Sequence, residues 1–303
     1  MISHYRVADQ PLAACDTHVH VFDSDLQPFA ESRSYTPGPA TTASLAQHLS
    51  RIGATRVVIV QPSVYGHDNR ASLAAARQLN AAGDVEARVV GVLDPTRAGE
   101  TDLRAMAEMG LRGLRANLKT QQTEAADDAI SEIRALDRLL AGHDWPIQIF
   151  APLGLLLQIA PLLRALDRPV ILDHFAGMKI GPGDVERRLE ELGELIGEAP
   201  NLWLKLSGAC RATDYAPADS AAAEALDQLA PQLIALAPAR MLWGSDWPHT
   251  GPSHLRKERA HGEVEPFMAV DDVADLARLA RWAGPEAARR ILVDGPGRLF
   301  FGD

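Results

Sequence analysis

The amino-acid sequence predicts an α/β fold, a single (β/α)₈ TIM barrel that covers residues 1–303 as one domain. Eight short apolar runs recur along the chain, and several of them are rich in valine, isoleucine and leucine on successive residues. Such runs are typical of strands that are covered on both faces. Amphipathic segments of helical period separate most of the runs, which favours a closed parallel sheet over an open one. A chain of 303 residues also suits one barrel, because this fold needs roughly 250 residues.

Each predicted strand is an apolar run that ends at polar or turn-forming residues. The strands are predicted at residues 15–22, 56–61, 88–93, 111–117, 146–150, 170–174, 202–207 and 241–246. Helical periodicity predicts helices at residues 71–81, 127–141, 184–198, 221–236, 271–283 and 285–292, and a buried or half-buried helix at 153–163. The stretches 28–42 and 251–270 are interpreted as long loops of the same domain.

Composition excludes several classes of partner. A net charge of −10 argues against nucleic-acid and anionic-membrane binding, although a few buried arginines could still attract an anionic substrate. Cys15 and Cys210 are too few for a disulfide framework and form no CxxC pair. The N-terminus lacks the layout of a signal peptide, and the longest apolar stretch is too short to span a bilayer. We therefore expect a cytoplasmic protein, monomeric or homo-oligomeric.

Polar residues at the strand ends are the candidates for chemistry, because barrel active sites lie at the C-terminal ends of the strands. His18 and His20 end the first predicted strand and, being two apart, share the face that points into the barrel. Two such imidazoles can bind a metal or polarise a carbonyl. His174 ends the sixth strand. Asp246 ends the eighth among apolar neighbours, where a carboxylate is costly unless it is paired or used, and where it could act as a general base. Core histidines and a loop-bracing aspartate are the structural alternatives.

Positive groups at other strand ends predict a site for an anion. Arg115 ends the fourth strand and Arg211 follows the seventh. A planar guanidinium can bind a carboxylate through two parallel hydrogen bonds. We expect further contacts to substrate at the same rim from Ser63, Tyr65, Asn117 and Lys119. Tyr35 is expected to line the first loop and His249 to brace the last.

The chain resembles the amidohydrolase superfamily over essentially its whole length. The motifs that carry the resemblance are Asp-Thr-His-Val-His at 16–20, Asp-His at 173–174, Gly-Ser-Asp-Trp-Pro at 244–248 and the closing segment 291–296. Segments 34–37, 60–66 and 111–117 are more narrowly similar to the branch that contains 2-pyrone-4,6-dicarboxylate lactonase and related sugar-acid lactonases.

The resemblance implies hydrolysis of a small carboxylated lactone, with Asp246 activating water. It places three imidazoles around the carbonyl, those of His18, His20 and His174. Their N–H groups, or a metal, would stabilise the developing oxyanion. It implies carboxylate binding by Arg115 and Arg211, and a pocket lined by Ser63 and Tyr65. Where the dicarboxylate lactonase is expected to have a further arginine, this chain has Lys119.

The resemblance also bears on metal binding. Metal-dependent relatives usually supply a further histidine or a modified lysine from strand four or five, whereas this chain has Arg115 and Asn117 on the fourth strand and Gln148 on the fifth. We therefore expect no cofactor. The alternative is one divalent metal such as zinc, bound by His18, His20 and Asp246.

The same residues are compatible with three other functions. A lactone isomerase could use the same base to deprotonate a sugar hydroxyl, which then attacks the ester in place of water. A decarboxylase would need a tightly bound metal. A binding protein for acidic metabolites would use the pocket without turnover. Motifs for nucleotide binding or for a serine nucleophile, namely GxGxxG after a strand, GxxxxGK[ST] and GxSxG, do not occur.

Overall fold

In the computed structural model, the described residues are 6–7, 10–11, 14–197, 199–252, 256, 259–260 and 262–303. Eight parallel strands form one sheet in which sequential strands are neighbours. The strands are β1 (Cys15–Val19), β2 (Arg56–Val60), β3 (Glu86–Gly91), β4 (Leu111–Ala116), β5 (Ile147–Ile149), β6 (Val170–Leu172), β7 (Leu202–Ser207) and β8 (Met241–Gly244). Each begins within two residues of its predicted start.

The sheet closes into a barrel between β1 and β8. Val19 forms a parallel bridge with Trp247, and the backbone N–H of Asp246 donates to the carbonyl oxygen of His18 over 2.9 Å. Gly244 permits this close approach, because a Cβ atom there would lie 2.6 Å from Cβ of His18. The predicted (β/α)₈ TIM barrel is confirmed.

Helices follow most of the strands. They are α1 (Thr42–Ile52), α2 (Arg70–Ala82), α3 (Glu100–Glu108), α4 (Ala126–Leu139), α5 (Leu153–Arg164), α6 (Val185–Ile196), α7 (Ala209–Ala212), α8 (Ala221–Leu236) and α9 (Asp272–Arg289). Helices α1, α3 and α7 have no counterpart among the predicted segments. Helix α3 buries only Leu103 fully, so its apolar period is weak. Helix α9 is interrupted at Gly284, where φ is 64°, at the predicted break between two helical segments. None of the described helices is long and apolar enough to cross a membrane.

The apolar side chains of the strands divide between the two faces of the barrel wall. On β2, Val57 and Ile59 belong to the large cluster that packs against the helices, whereas Val58 and Val60 belong to a second cluster. Other members of the second cluster are Cys15, Val90, Ile171, Trp203, Leu242, Leu299 and Phe300. Because these residues come from six strands and the C-terminal segment, they form the apolar interior of the barrel. The polar residues of the candidate site lie beyond this layer, toward the C-terminal ends of the strands.

A buried cluster of ionisable side chains fastens α1 and α9 to β1. Nε2 of His48 lies 3.3 Å from Asp16 Oδ2, and its Nδ1 lies 3.4 Å from Asp272 Oδ2. Asp272 also pairs with Arg51 at 3.2 Å and with His249 at 2.9 Å, so His249 braces the last loop as predicted. Burial alone would lower the pKa of His48, but hydrogen bonds to the two carboxylates raise it to about 9.

We expect this cluster to make folding stability depend on pH between about 6.5 and about 9. A pKa that is raised in the folded state stabilises the protein fully below the unfolded value of about 6.5, and the contribution is lost as the pH rises through about 9. The free energy of unfolding should fall by up to about 3 kcal/mol across this window, and by much less in His48→Gln. Urea unfolding of the metal-free proteins measures the fall; an equal fall in both contradicts the assignment.

Candidate active site

The four side chains predicted to carry chemistry meet at the C-terminal end of the barrel. The Nε2 atoms of His18, His20 and His174 lie 3.9, 3.5 and 3.8 Å from Oδ1 of Asp246. All four residues are buried, and His18 is completely enclosed. Residues that are up to 228 positions apart in the sequence are therefore brought to one point by the closure of the barrel.

Two of these residues leave their strands in the left-handed backbone conformation. Strand β6 ends at Leu172 and β8 at Gly244, and beyond them φ is 52° at His174 and 67° at Asp246. This conformation costs a residue with a Cβ atom roughly 1–2 kcal/mol, and it persists only where the surroundings hold it. Because the chain turns here, both strands stop two residues before their predicted ends.

The Nδ1 atoms of the imidazoles have partners outside this group. Nδ1 of His20 lies 2.8 Å from the carbonyl oxygen of Val60. That oxygen only accepts, so neutral His20 carries its proton on Nδ1 and a lone pair on Nε2. Nδ1 of His174 lies 3.0 Å from Oγ of Ser207, a hydroxyl that can donate or accept. Burial lowers the pKa of His174 to about 4. His20 thus presents an acceptor toward Asp246, not the N–H donor expected from the sequence.

Arg211 is committed mainly to Asp246 and the neighbouring loops. Its Nε donates to Oδ2 of Asp246 over 2.6 Å, its Nη1 to Tyr215 Oη over 2.9 Å, and its Nη2 to the carbonyl and hydroxyl oxygens of Thr250 over 3.2 and 3.1 Å. Burial alone would raise the pKa of Asp246, but the positive charge of Arg211 holds it well below its usual value. Four of the five guanidinium N–H groups are used, which leaves little for the predicted carboxylate-binding role.

A cavity of about 610 Å³ opens above these side chains. His20, His174 and Asp246 line its base, whereas His18 lies beneath it. Its cationic lining residues are Arg115, Lys119, Lys179, Arg211 and Arg256. Among the described residues that line it, the carboxylates are those of Asp214 and Asp246. The cavity is therefore suited to an anion, although the whole chain is acidic.

The residues predicted to contact substrate divide into two groups. Those that line the cavity are Ser63, Asn117, Lys119, Arg115 and Arg211. Tyr65 does not line it: its hydroxyl accepts a hydrogen bond from the N–H of Asp23 over 2.8 Å, and its ring packs against Phe29. Ser63 and Tyr65 lie in a 3₁₀ turn, where residues two apart do not share a face as they would in a strand. This corrects the expectation that both hydroxyls reach the same rim.

Lys119 is the cation of the cavity that is most available for an anionic ligand. Its ammonium lies 5.3 Å from the ring centre of Phe150, and in the described part of the chain no ion pair ties it to a carboxylate. Burial, together with the charges of Lys179 and Arg211, lowers its pKa. An incoming anion would offset this repulsion.

Sequence reasoning missed two sets of residues. Lys179, Tyr215 and Arg256 line the cavity from loops, where no periodicity points to a face; their only signal was a charge or a phenol shortly after a predicted strand. Arg256 lies 3.8 Å from the ring centre of Tyr35, which also lines the cavity. The second set, beneath the histidines, is the fully buried polar layer of Gln148, Asp173 and Lys205.

The barrel and this site define an enzyme in which buried imidazoles and a carboxylate meet at the C-terminal end of the strands. Residues 15–301 match the amidohydrolase family, and the chain belongs to that family. Over 299 residues it is 33% identical to 4-sulfomuconolactone hydrolase from Rhizobium radiobacter, a match that covers 96% of this chain and 90% of the relative. The family predicted from the sequence motifs is confirmed.

Two further relatives have names from lactone chemistry. The chain is 27% identical to 2-pyrone-4,6-dicarboxylate hydrolase from Comamonas testosteroni and 28% identical to D-galactarolactone isomerase from Agrobacterium fabrum, in each case over 96% of this chain and 91% of the relative. The solved structure of an amidohydrolase from Burkholderia multivorans with bound zinc has a TM-score of 0.69 and 20% identity, over 95% of this chain and 99% of that one. At that identity the likeness concerns the fold alone.

Proposed function

We propose that this protein hydrolyses the ester bond of a small lactone that carries a carboxylate or a similar anionic group. The observation that carries the proposal is a buried carboxylate, Asp246, at the base of a cationic cavity, with three imidazoles within 3.9 Å of its Oδ1. A carboxylate so placed can take a proton from water, and the cationic walls attract an anionic substrate. Relatives named for lactone hydrolysis support the same reaction.

Asp246 is the general base of the proposed reaction. Arg211 holds its Oδ2, whereas Oδ1 has no hydrogen-bond partner among the described residues, so Oδ1 receives the proton of the attacking water. The hydroxyl of Ser207 can donate to Nδ1 of His174, which leaves an N–H at Nε2 to stabilise the carbonyl oxygen. When the ring C–O bond breaks, the leaving oxygen takes the proton from Asp246 and the open acid is released.

Arg115 and Lys119 are the proposed contacts to the anionic group of the substrate. Arg115 lines the cavity and uses Nε and Nη2 on Asp173, so its Nη1 has no hydrogen-bond partner among the described residues. Lys119 adds an ammonium on the same wall. Hydrogen bonds between charged groups are worth roughly 1.5–3 kcal/mol each, enough to orient the lactone ring above Asp246.

The ligand atoms of the site also favour a bound divalent cation, which the sequence analysis gives as the alternative to a site without a cofactor. Two buried atoms that face each other at 3.9 Å, Nε2 of His18 and Oδ1 of Asp246, have no hydrogen-bond partner in the described part of the chain, and His20 adds a third ligand atom. Ligands about 2.1 Å from one zinc ion at tetrahedral angles lie about 3.4 Å apart, close to the 3.5 and 3.9 Å found here. When bound, such an ion would lower the pKa of a bound water and polarise the ester.

The test is turnover of a lactone panel by the purified full chain. The panel pairs carboxylated lactones with neutral lactones of the same ring size, and a pH indicator follows the release of acid. We expect kcat/KM to be at least tenfold higher for the carboxylated member of each pair, because one charge-assisted hydrogen bond is worth roughly 1.5 kcal/mol or more. Binding of every carboxylated lactone without turnover would overturn the proposal in favour of a binding protein.

The same assay, repeated after chelation and metal analysis, tests the cation. We expect about one equivalent of divalent metal, loss of activity on its removal and recovery with zinc. Full activity without metal would contradict the cation and leave lactone hydrolysis standing.

A lactone isomerase is the second candidate, favoured by the 28% identity to D-galactarolactone isomerase. In that reaction Asp246 would deprotonate a substrate hydroxyl, which attacks the ester to form a new ring. Proton NMR of the products separates the two reactions, because hydrolysis gives an open acid and isomerisation gives a second lactone with no release of acid.

A further inference from the structure

A fully buried polar layer lies directly beneath His18, and the proposed reaction leaves most of it without a role. In this layer the side-chain amide of Gln148 donates to Oδ2 of Asp173 over 3.0 Å, and its oxygen accepts from Nζ of Lys205 over 2.8 Å. Arg115 donates to the same Oδ2 over 2.9 and 3.2 Å. Because a carboxylate only accepts and an ammonium only donates, the two partners fix the orientation of the Gln148 amide.

Nδ1 of His18 lies near two members of this layer, one of which requires a proton on that nitrogen and the other a lone pair. It is 3.3 Å from Oδ1 of Asp173, which can only accept a proton, and 3.4 Å from Nζ of Lys205, which can only donate one. The first contact requires a proton on Nδ1, and the second requires a lone pair there. Because a neutral imidazole carries one ring proton, the state of Nδ1 decides whether Nε2 of His18 presents an N–H or a lone pair to Asp246.

The rest of the layer favours the contact with Asp173. Lys205 already donates to the carbonyl oxygen of Thr17 over 2.7 Å and to Gln148 over 2.8 Å, both shorter than its distance to His18. Oδ1 of Asp173 has no hydrogen-bond partner among the described residues, and a buried carboxylate oxygen without a donor is costly. With a proton on Nδ1, His18 would place a donor atom 3.3 Å from that oxygen and remove the repulsion between a lone pair and a carboxylate.

We propose that Asp173, held by Arg115, Gln148 and Lys205, is a positioning residue that keeps the proton of His18 on Nδ1. The lone pair of Nε2 then faces the site, beside that of His20. Two imidazoles are thereby prepared to bind a cation without changing tautomer, a role that carboxylates next to metal-binding histidines commonly serve. The effect of this arrangement on catalysis rests on the proposed function. The position of the proton can be measured without a substrate.

Nitrogen NMR of the metal-free full chain, labelled with ¹⁵N-histidine, tests the proposal. The chemical shifts separate protonated from bare ring nitrogens, and the His18 signals are those lost in His18→Gln. We expect a protonated Nδ1 and a bare Nε2 in the native protein. In Asp173→Asn, the new amide can donate to Nδ1, so the proton should move to Nε2. Zinc affinity, measured by competition with a chromogenic chelator, should fall by about 10–100-fold in that variant.

Asp272→Asn is the matched control. Asp272 is another buried carboxylate with histidine partners, His48 and His249, but it does not touch His18. We expect this variant to keep the native His18 signals and zinc affinity. A bare Nδ1 in the native protein, an unmoved proton in Asp173→Asn, or an equal change in the control would overturn the proposal. If Asp173→Asn does not fold, the native spectrum alone decides.

The outcomes also separate this proposal from the proposed function. A native spectrum with the proton on Nδ1, together with no turnover of any lactone, would remove the function and leave the role of Asp173. Normal turnover with the proton on Nε2 would support the proposed function and remove the role of Asp173.

Discussion

Replacing Asp246 with asparagine is expected to lower kcat for lactone hydrolysis by about 10³-fold or more while the protein stays folded. A positioned general base contributes typically 10²–10⁴-fold, and an amide cannot take the proton of the attacking water. The amide keeps the shape of the carboxylate, and its oxygen can still accept from Nε of Arg211, the partner now 2.6 Å away. Initial rates at saturating substrate and thermal unfolding measure the two halves of this prediction.

Asp214→Asn provides the control, because Asp214 also lines the cavity. Its side chain is 69% exposed and pairs with Lys179 at the rim. Exposed ion pairs contribute little, so we expect kcat to stay within about twofold of the native value. Normal turnover by the Asp246→Asn variant would show that another group activates water.

The fold could be predicted because the barrel imposes a local pattern on each of its parts. On β2, successive apolar residues serve opposite faces of the wall, Val57 and Ile59 outward, Val58 and Val60 inward. A strand covered on both faces therefore reads as an uninterrupted apolar run. The strand ends could not be predicted as closely, because His174 and Asp246 turn the chain through left-handed conformations that tertiary contacts hold.

The members of the site could be predicted, but not their partners. His18, His20, His174 and Asp246 interrupt apolar runs at strand ends, which marks each of them individually. Hydrogen bonds between distant elements cannot be recognised in the sequence in this way. For example, Lys205 donates to the carbonyl oxygen of Thr17, 188 positions away. The direction of the His20 N–H depends on the Val60 carbonyl of the neighbouring strand, and side-chain type alone does not show it.

Replacing Arg211 with glutamine is expected to have a large effect, and on kcat more than on KM. Its guanidinium ties Asp246 to Tyr215 and Thr250 through four N–H groups. In Arg211→Gln the base is free to move, and a displacement of about 1 Å can cost about 100-fold in rate. Leaving Asp246 buried without its cation should also lower the free energy of unfolding by about 3–5 kcal/mol.

The role first predicted for Arg211, a grip on the substrate carboxylate, has the opposite kinetic signature. Losing such a grip would raise KM with kcat retained. Arg211→Lys separates charge from geometry: an ammonium restores the charge beside Asp246 but lacks the planar fork that reaches Tyr215 and Thr250 together. We expect it to recover stability to a larger extent than kcat. A rise in KM of more than about tenfold in Arg211→Gln, with kcat unchanged, would show that Arg211 binds the substrate. Asp246 would then be held in place by the imidazoles and its own strained backbone.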